Sequence, residues 1–246
     1  MLATRVKPPG TASVPCRESA MNLTPRLYAL AVLCSLVWTS AFVAGKLAMT
    51  WLDTETLLAA RFVVTAAVLA PIALHRRRHD RRAVIDGLAL GLLINVATLG
   101  MAFHAMGHIG SSMVVILTSC APFITVLLAV VIGTERLDGR RVAGIVTGFV
   151  GVLVVCGPRV SGHADLTGLA LAAGAALTFS ISTLWTRQHA AHHDPLVLAL
   201  WQAVAGVVVL LPFATADALP ALPLTGWLSV AWLALVVSIG AMLLWM

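Results

Sequence analysis

Apolar residues fill eight continuous stretches of this chain, and the polar residues gather in the short breaks between them. The stretches run over Leu27–Met49, Thr56–Leu74, Ala83–His104, Ser111–Gly133, Arg141–Gly157, Thr167–Arg187, Leu196–Ala214 and Trp227–Met246. Each is about 17 to 23 residues long, enough to cross a hydrocarbon layer of about 30 Å at about 1.5 Å per residue. A segment isolated in lipid must satisfy its backbone polar groups internally, so each stretch is expected to be a helix. A β-barrel would show shorter, alternating segments. The expected fold class is therefore an all-α integral membrane protein with about eight transmembrane helices.

Composition fits this pattern and removes the soluble alternatives. Of 246 residues, 60% are hydrophobic and 11% charged, with mean hydropathy +0.97. A soluble domain cannot cover its surface with so few polar groups. The net charge of +6 would suggest nucleic acid in a soluble chain, but here the cations sit in connections and no nucleic-acid partner is expected. Arg5, Lys7, Arg17 and Arg26 precede the first stretch, Arg76, Arg77, Arg78, Arg81 and Arg82 follow the second, Arg136, Arg140 and Arg141 follow the fourth, and Arg187 closes the sixth. Of the 16 basic residues only Arg159 falls on the opposite side, while Lys46 and Arg61 lie within or at the ends of helices. Positive loops face the cytoplasm, so both termini are expected there, in a multi-pass cell (inner) membrane protein. The Arg76–Arg82 cluster reads as a topology anchor. Residues 1–26, rich in Pro, Ser and Thr, read as a disordered cytoplasmic tail, with Met21 an alternative start and the first apolar stretch a retained helix.

The chain also repeats itself. The shift that lays Lys46 on Arg187 lays Leu30 on Leu171, Trp38 on Phe179, Thr39 on Ser180, Asp53 on Asp194 and Arg61 on Gln202, without a gap. Equivalent positions are five helices apart, an odd number, so the second copy lies inverted relative to the first. Inverted repeats are a hallmark of secondary transporters, with the binding site between the halves. The first unit is expected over 27–158 and the second over 166–246. By this arithmetic the second unit ends after three helices, an incomplete copy, which leaves a truncated protein or a homodimer as the ways to account for a missing pair.

These residues resemble the EamA-type exporters of the drug/metabolite transporter superfamily. The resemblance rests on Leu36-Val37-Trp38-Thr39-Ser40-Ala41-Phe42-Val43-Ala44-Gly45-Lys46, on Ala59-Ala60-Arg61-Phe62, and on Ser119-Cys120-Ala121-Pro122-Phe123. Gly133-Thr134-Glu135-Arg136-Leu137 and the glycines Gly144, Gly148 and Gly151 complete it. It implies ten helices in two units of five, and a permease that exports a small metabolite or drug-like molecule. It also implies that Trp38, Phe42 and Asn95 line a central cavity, with His104, Trp201 and Gln202 as further substrate-binding candidates.

Lys46 and Arg61 are substrate-binding candidates on their own chemistry, because a cation at membrane depth is costly and usually functional. The rival is a salt-bridge cluster with Asp53 and Glu55. Four residues are expected to act structurally. Pro122 breaks a helix, Glu135 braces the turn after the fourth stretch, and Gly144 and Gly148 let helices approach closely, as do Gly87 and Gly91. His189, His192 and His193 read as a solvated loop, not a metal site. Cys16, Cys34, Cys120 and Cys156 read as packing residues rather than disulfides. No catalytic, metal or cofactor motif occurs, so neither an enzyme nor a cofactor is expected. No carboxylate falls mid-membrane, which points to passive or weakly coupled export. The partners expected are the bilayer and a small-molecule substrate. Two rival classes stay open, a non-transporting truncated fragment and a membrane scaffold protein.

Overall fold

The computed structural model describes residues 25–75, 80–135, 138–160, 165–215, 217, 219–220 and 222–240. Apart from Pro25 and Arg26 the expected tail lies outside these residues, as do Arg76, Arg77 and Arg78 of the Arg76–Arg82 cluster, Arg136 and the last six residues.

Backbone amides in hydrocarbon have no water to bond, and every long apolar stretch is helical over most of its described residues. The helices are α1 (Pro25–Ala48), α2 (Thr54–Leu74), α3 (Arg81–His108) and α4 (Ser111–Val131), then α5 (Gly139–Val160), α6 (Leu166–Ala190), α7 (Pro195–Phe213) and α8 (Leu224–Gly240). Among the described residues there are no strands. Five of these helices, α2, α3, α4, α6 and α7, are each long and apolar enough to cross a membrane. Their outer faces stay apolar, as at Val131 on α4, 82% exposed, and Val208 on α7. Lipid is the solvent that tolerates such a surface.

Helix ends follow local chemistry. Asp194 caps α7 by accepting from the Leu196 amide at 2.9 Å, with Pro195 in the first turn, where its missing N–H costs nothing. Gly133 takes φ +79° just past α4, the left-handed position that only glycine adopts freely. Asp165 caps α6 through the Thr167 amide at 2.9 Å and pairs with His108 at the end of α3 at 2.6 Å. The hydrogen bond with His108, then those from Thr167, hold the Asp165 carboxyl below its ordinary pKa. A carboxylate with a lowered pKa adds stability above its unfolded pKa, and the gain is lost as pH falls through the folded value. Asp165→Asn keeps the cap but removes the charge. It is expected to flatten the acid-side fall in the melting temperature of the detergent-solubilised protein, and an unchanged pH profile would refute this role.

Packing repeats as the sequence does. α2 packs on α7, its own equivalent. α3 packs on α6 and α7, and α8 packs on α1 and α2, the same pair of contacts carried into the other half. The shift also maps two local irregularities onto each other. Gly91–Thr98 in α3 and Trp232–Gly240 in α8 are both wound as wide π turns. Within them Thr98 and Ser238 each donate to the carbonyl five residues back, at 2.8 and 3.0 Å. Wide turns of this kind are uncommon and favour functional sites.

Glycines set the closest approach. A Cβ at Gly91 would lie 2.6 Å from Ala205 Cβ and 2.7 Å from the Gln202 carbonyl oxygen, and one at Gly87 would meet Trp201 Cβ. α3 therefore lies directly on the α7 backbone. At Gly148 the neighbour is the Phe123 ring of α4. A Cβ at Gly144 would meet no described atom of another segment within 4 Å, so among the described residues only Gly148 of the expected pair in α5 makes a close contact.

Candidate functional site

A cavity of about 710 Å³ lies between the two halves. Its wall comes from α1, α2, α3 and α4 of the first unit and from α6, α7 and α8 of the second. Trp38, Phe42, Arg61, Asn95 and Gln202 all line it, and so does Pro122. Sequence reasoning missed Phe179, Thr98 and Ser238 as lining residues. The repeat held the clue to Phe179, which is the equivalent of Trp38. Their rings meet across the cavity with centroids 5.9 Å apart.

One end of the cavity is sealed. Phe62 packs on Gly206 and Phe103 on Gly45, within a continuous core that includes Leu57, Leu58, Met106 and Leu233. Toward the other end the lining reaches Ser35, Thr186 and Pro195. Beside it, α2 and α7 pack through a smaller cluster, Leu69 with Leu196 and Leu200.

Arg61 and Gln202 each occupy the eighth position of their helix. Because α2 and α7 cross in opposite directions, each side chain stands about 10 Å in from an opposite end. Asn95 joins the halves by donating from Nδ2 to the Gln202 carbonyl at 2.8 Å. Arg61 joins them from the other side, its Nε donating to Ser238 Oγ at 3.0 Å. Both Asn95 and Ser238 stand in the wide turns, which bring them to the cavity wall. Thr98 and Thr178 add a hydroxyl pair at 2.8 Å.

The break in α4 shapes the opposite wall. Pro122 has no N–H, so the Thr118 carbonyl loses its usual donor and the helix parts between Thr118 and Ala121. Thr118 and Ser119 line the cavity at this break. Ser180 of α6 holds it by donating to the Ala121 carbonyl at 2.9 Å.

Lys46, His104 and Trp201 are not part of this lining. Lys46 Nζ donates to the Met106 carbonyl at 3.0 Å, covering the end of α3. His104 pairs with Glu55 at 3.0 Å. Trp201 sits half-buried where α7 meets Gly87. The expected cluster of Lys46 and Arg61 with Asp53 and Glu55 does not form either. Glu55 takes His104, and Asp53 accepts from Thr215 Oγ1 at 3.2 Å. Glu135 ties α4 to the end of α6 through Arg187 at 3.1 Å.

The comparisons with known proteins agree with this architecture. The family model described as the EamA-like transporter family matches residues 26–157 and then residues 166–246. The chain belongs to the EamA-like transporter family. Among curated relatives, an uncharacterized transporter of Archaeoglobus fulgidus is 25% identical over 72% of this chain and 63% of its own length. A probable amino-acid metabolite efflux pump of Salmonella typhimurium is 24% identical over 75% of this chain and 61% of its own. The Escherichia coli protein of the same description is 26% identical over 73% and 60%. This EamA-like chain thus spans about three-fifths of the length of these relatives. A solved crystal structure superposes with a TM-score of 0.57 at 22% identity, covering 87% of this chain and 78% of that one. At that identity the likeness speaks for the fold alone. Family and relatives point to a transporter rather than an enzyme, and to a multi-pass membrane protein.

Proposed function

We propose that this chain is a permease of the inner membrane that exports a small metabolite by alternating access between its inverted halves. The observation that carries this reading is the cavity shared by both units, sealed at one end by the core around Phe62 and Phe103. Two pseudo-equivalent halves give two nearly equivalent packings, one open to each side. With the positive loops in the cytoplasm, both termini lie there and the sealed end faces outward. The cavity then belongs to the cytoplasm-facing state, ready to load for export. The names of the enterobacterial relatives favour an amino-acid derivative as solute.

No Asp or Glu stands among the described residues of the lining. Proton-coupled carriers place a carboxylate deep in the bundle, so export here runs down the solute gradient. The test is release of labelled amino-acid derivatives from proteoliposomes holding the purified chain. Release above that of empty liposomes, unchanged by an imposed pH gradient, is the expected result. No release would refute the permease, and steep dependence on the pH gradient would refute the coupling.

A further inference from the structure

If the cavity carries solute, its walls also state the solute's charge. Arg61 is 6% exposed, and no described carboxylate lies within ion-pair distance of it. The Phe62 ring stands beside it, 5.6 Å from the guanidinium carbon, and Ser238 accepts from Nε. Among the described residues its terminal nitrogens have no acceptor, and the residue faces the cavity. A guanidinium carries five N–H donors and stays charged in proteins. A buried cation without a counter-charge is costly, and the cost is relieved when an anion joins it. The planar fork of arginine matches a carboxylate with two parallel hydrogen bonds.

The rest of the lining sharpens the class. The pseudo-equivalent of Arg61 is Gln202, a neutral amide, so the site has a cation on one side only. No acidic side chain of the described lining stands ready for an ammonium group. Trp38 and Phe179 offer ring faces to an apolar body. We propose that Arg61 is an anion hook and that the cavity takes small organic monocarboxylates with an apolar or aromatic body, an amino group being no requirement.

This rests on the permease reading, and the experiment keeps the two apart. Binding of four probes to the detergent-purified chain is followed by tryptophan fluorescence, and flux of the same probes is followed in proteoliposomes. The probes, compared at about pH 6 so that the α-amine of the amide is charged, are N-acetylphenylalanine, an anion; phenylalanine, a zwitterion; phenylalaninamide, a cation; and phenylacetamide, which is neutral. The anion is expected to bind at least as well as the zwitterion and far better than the cation or the neutral amide. Arg61→Gln is expected to weaken anion binding by about 10- to 100-fold, the worth of a charge-assisted contact, while Arg61→Lys keeps part of it. Binding of phenylacetamide is expected to be unaffected.

The wild-type probe ranking decides the matter even if a variant fails to fold. Cation or neutral amide binding as well as the anion overturns the hook, as does unchanged anion binding in a folded Arg61→Gln protein. Anion binding with no flux of any probe upholds the hook and overturns the permease. No binding of any probe overturns the hook, and release from proteoliposomes then decides the permease by itself.

Discussion

Gly91→Val is expected to destabilise the protein by about 1–3 kcal/mol, toward the upper end of that range. The added Cβ meets Ala205 Cβ at 2.6 Å, and then the Gln202 oxygen and Cα at 2.7 and 2.8 Å. Two of these are backbone atoms of α7, which cannot rotate away as a side-chain tip does. The helices must separate, and the Asn95 hydrogen bond to the Gln202 carbonyl lies in the same seam. Loss of stability and loss of flux should therefore appear together. Gly144→Val is the control, because no described atom of another segment lies within 4 Å of its Cβ position. Its effect is expected within about 0.5 kcal/mol, as for most surface changes. Thermal melting of both variants in one detergent checks the pair, and equal melting temperatures would refute the close α3–α7 approach.

Asp86→Ala should cost about 1–3 kcal/mol, the penalty for a buried polar group left without its partner. Asp86 Oδ2 lies 3.1 Å from His193 Nε2, and the side chains are 15% and 8% exposed. The pair links the first turns of α3 to the connection between α6 and α7. Without the carboxylate, the imidazole stays buried and loses its acceptor. Asp86→Asn offers an acceptor oxygen without charge and should recover part of the loss. Melting of the two variants tests this, and an Asp86→Ala protein as stable as wild type would show that the pair contributes nothing.

The helices and their order were legible because lipid imposes one demand over a whole segment. Observed ends lie within a few residues of the apolar stretches. The inverted repeat was legible from a few polar matches, and Asp53 and Asp194 now stand at equivalent helix starts. Cavity-lining positions were legible from membrane depth for Arg61, and from the family resemblance for Trp38, Phe42 and Asn95. They were not legible where a distant partner decides. His193 reads as solvated until Asp86, far away in sequence, is brought against it. Lys46 reads as a cavity cation until the end of α3 offers a carbonyl. Gly144 and Gly148 share one sequence pattern, yet only Gly148 meets a ring. The wide turns leave little mark in residue type, since of the eight aligned positions only Leu92/Leu233 and Val96/Val237 are identical.

That mismatch bears on how alike the two halves are as parts. Two copies that hold the same wide turn at the same register, with mostly different residues in it, are alike in frame rather than in side chain. Arg61 and Gln202 stand at equivalent positions of that frame and differ in charge. The chamber is therefore symmetric in its walls and lopsided in its electrostatics.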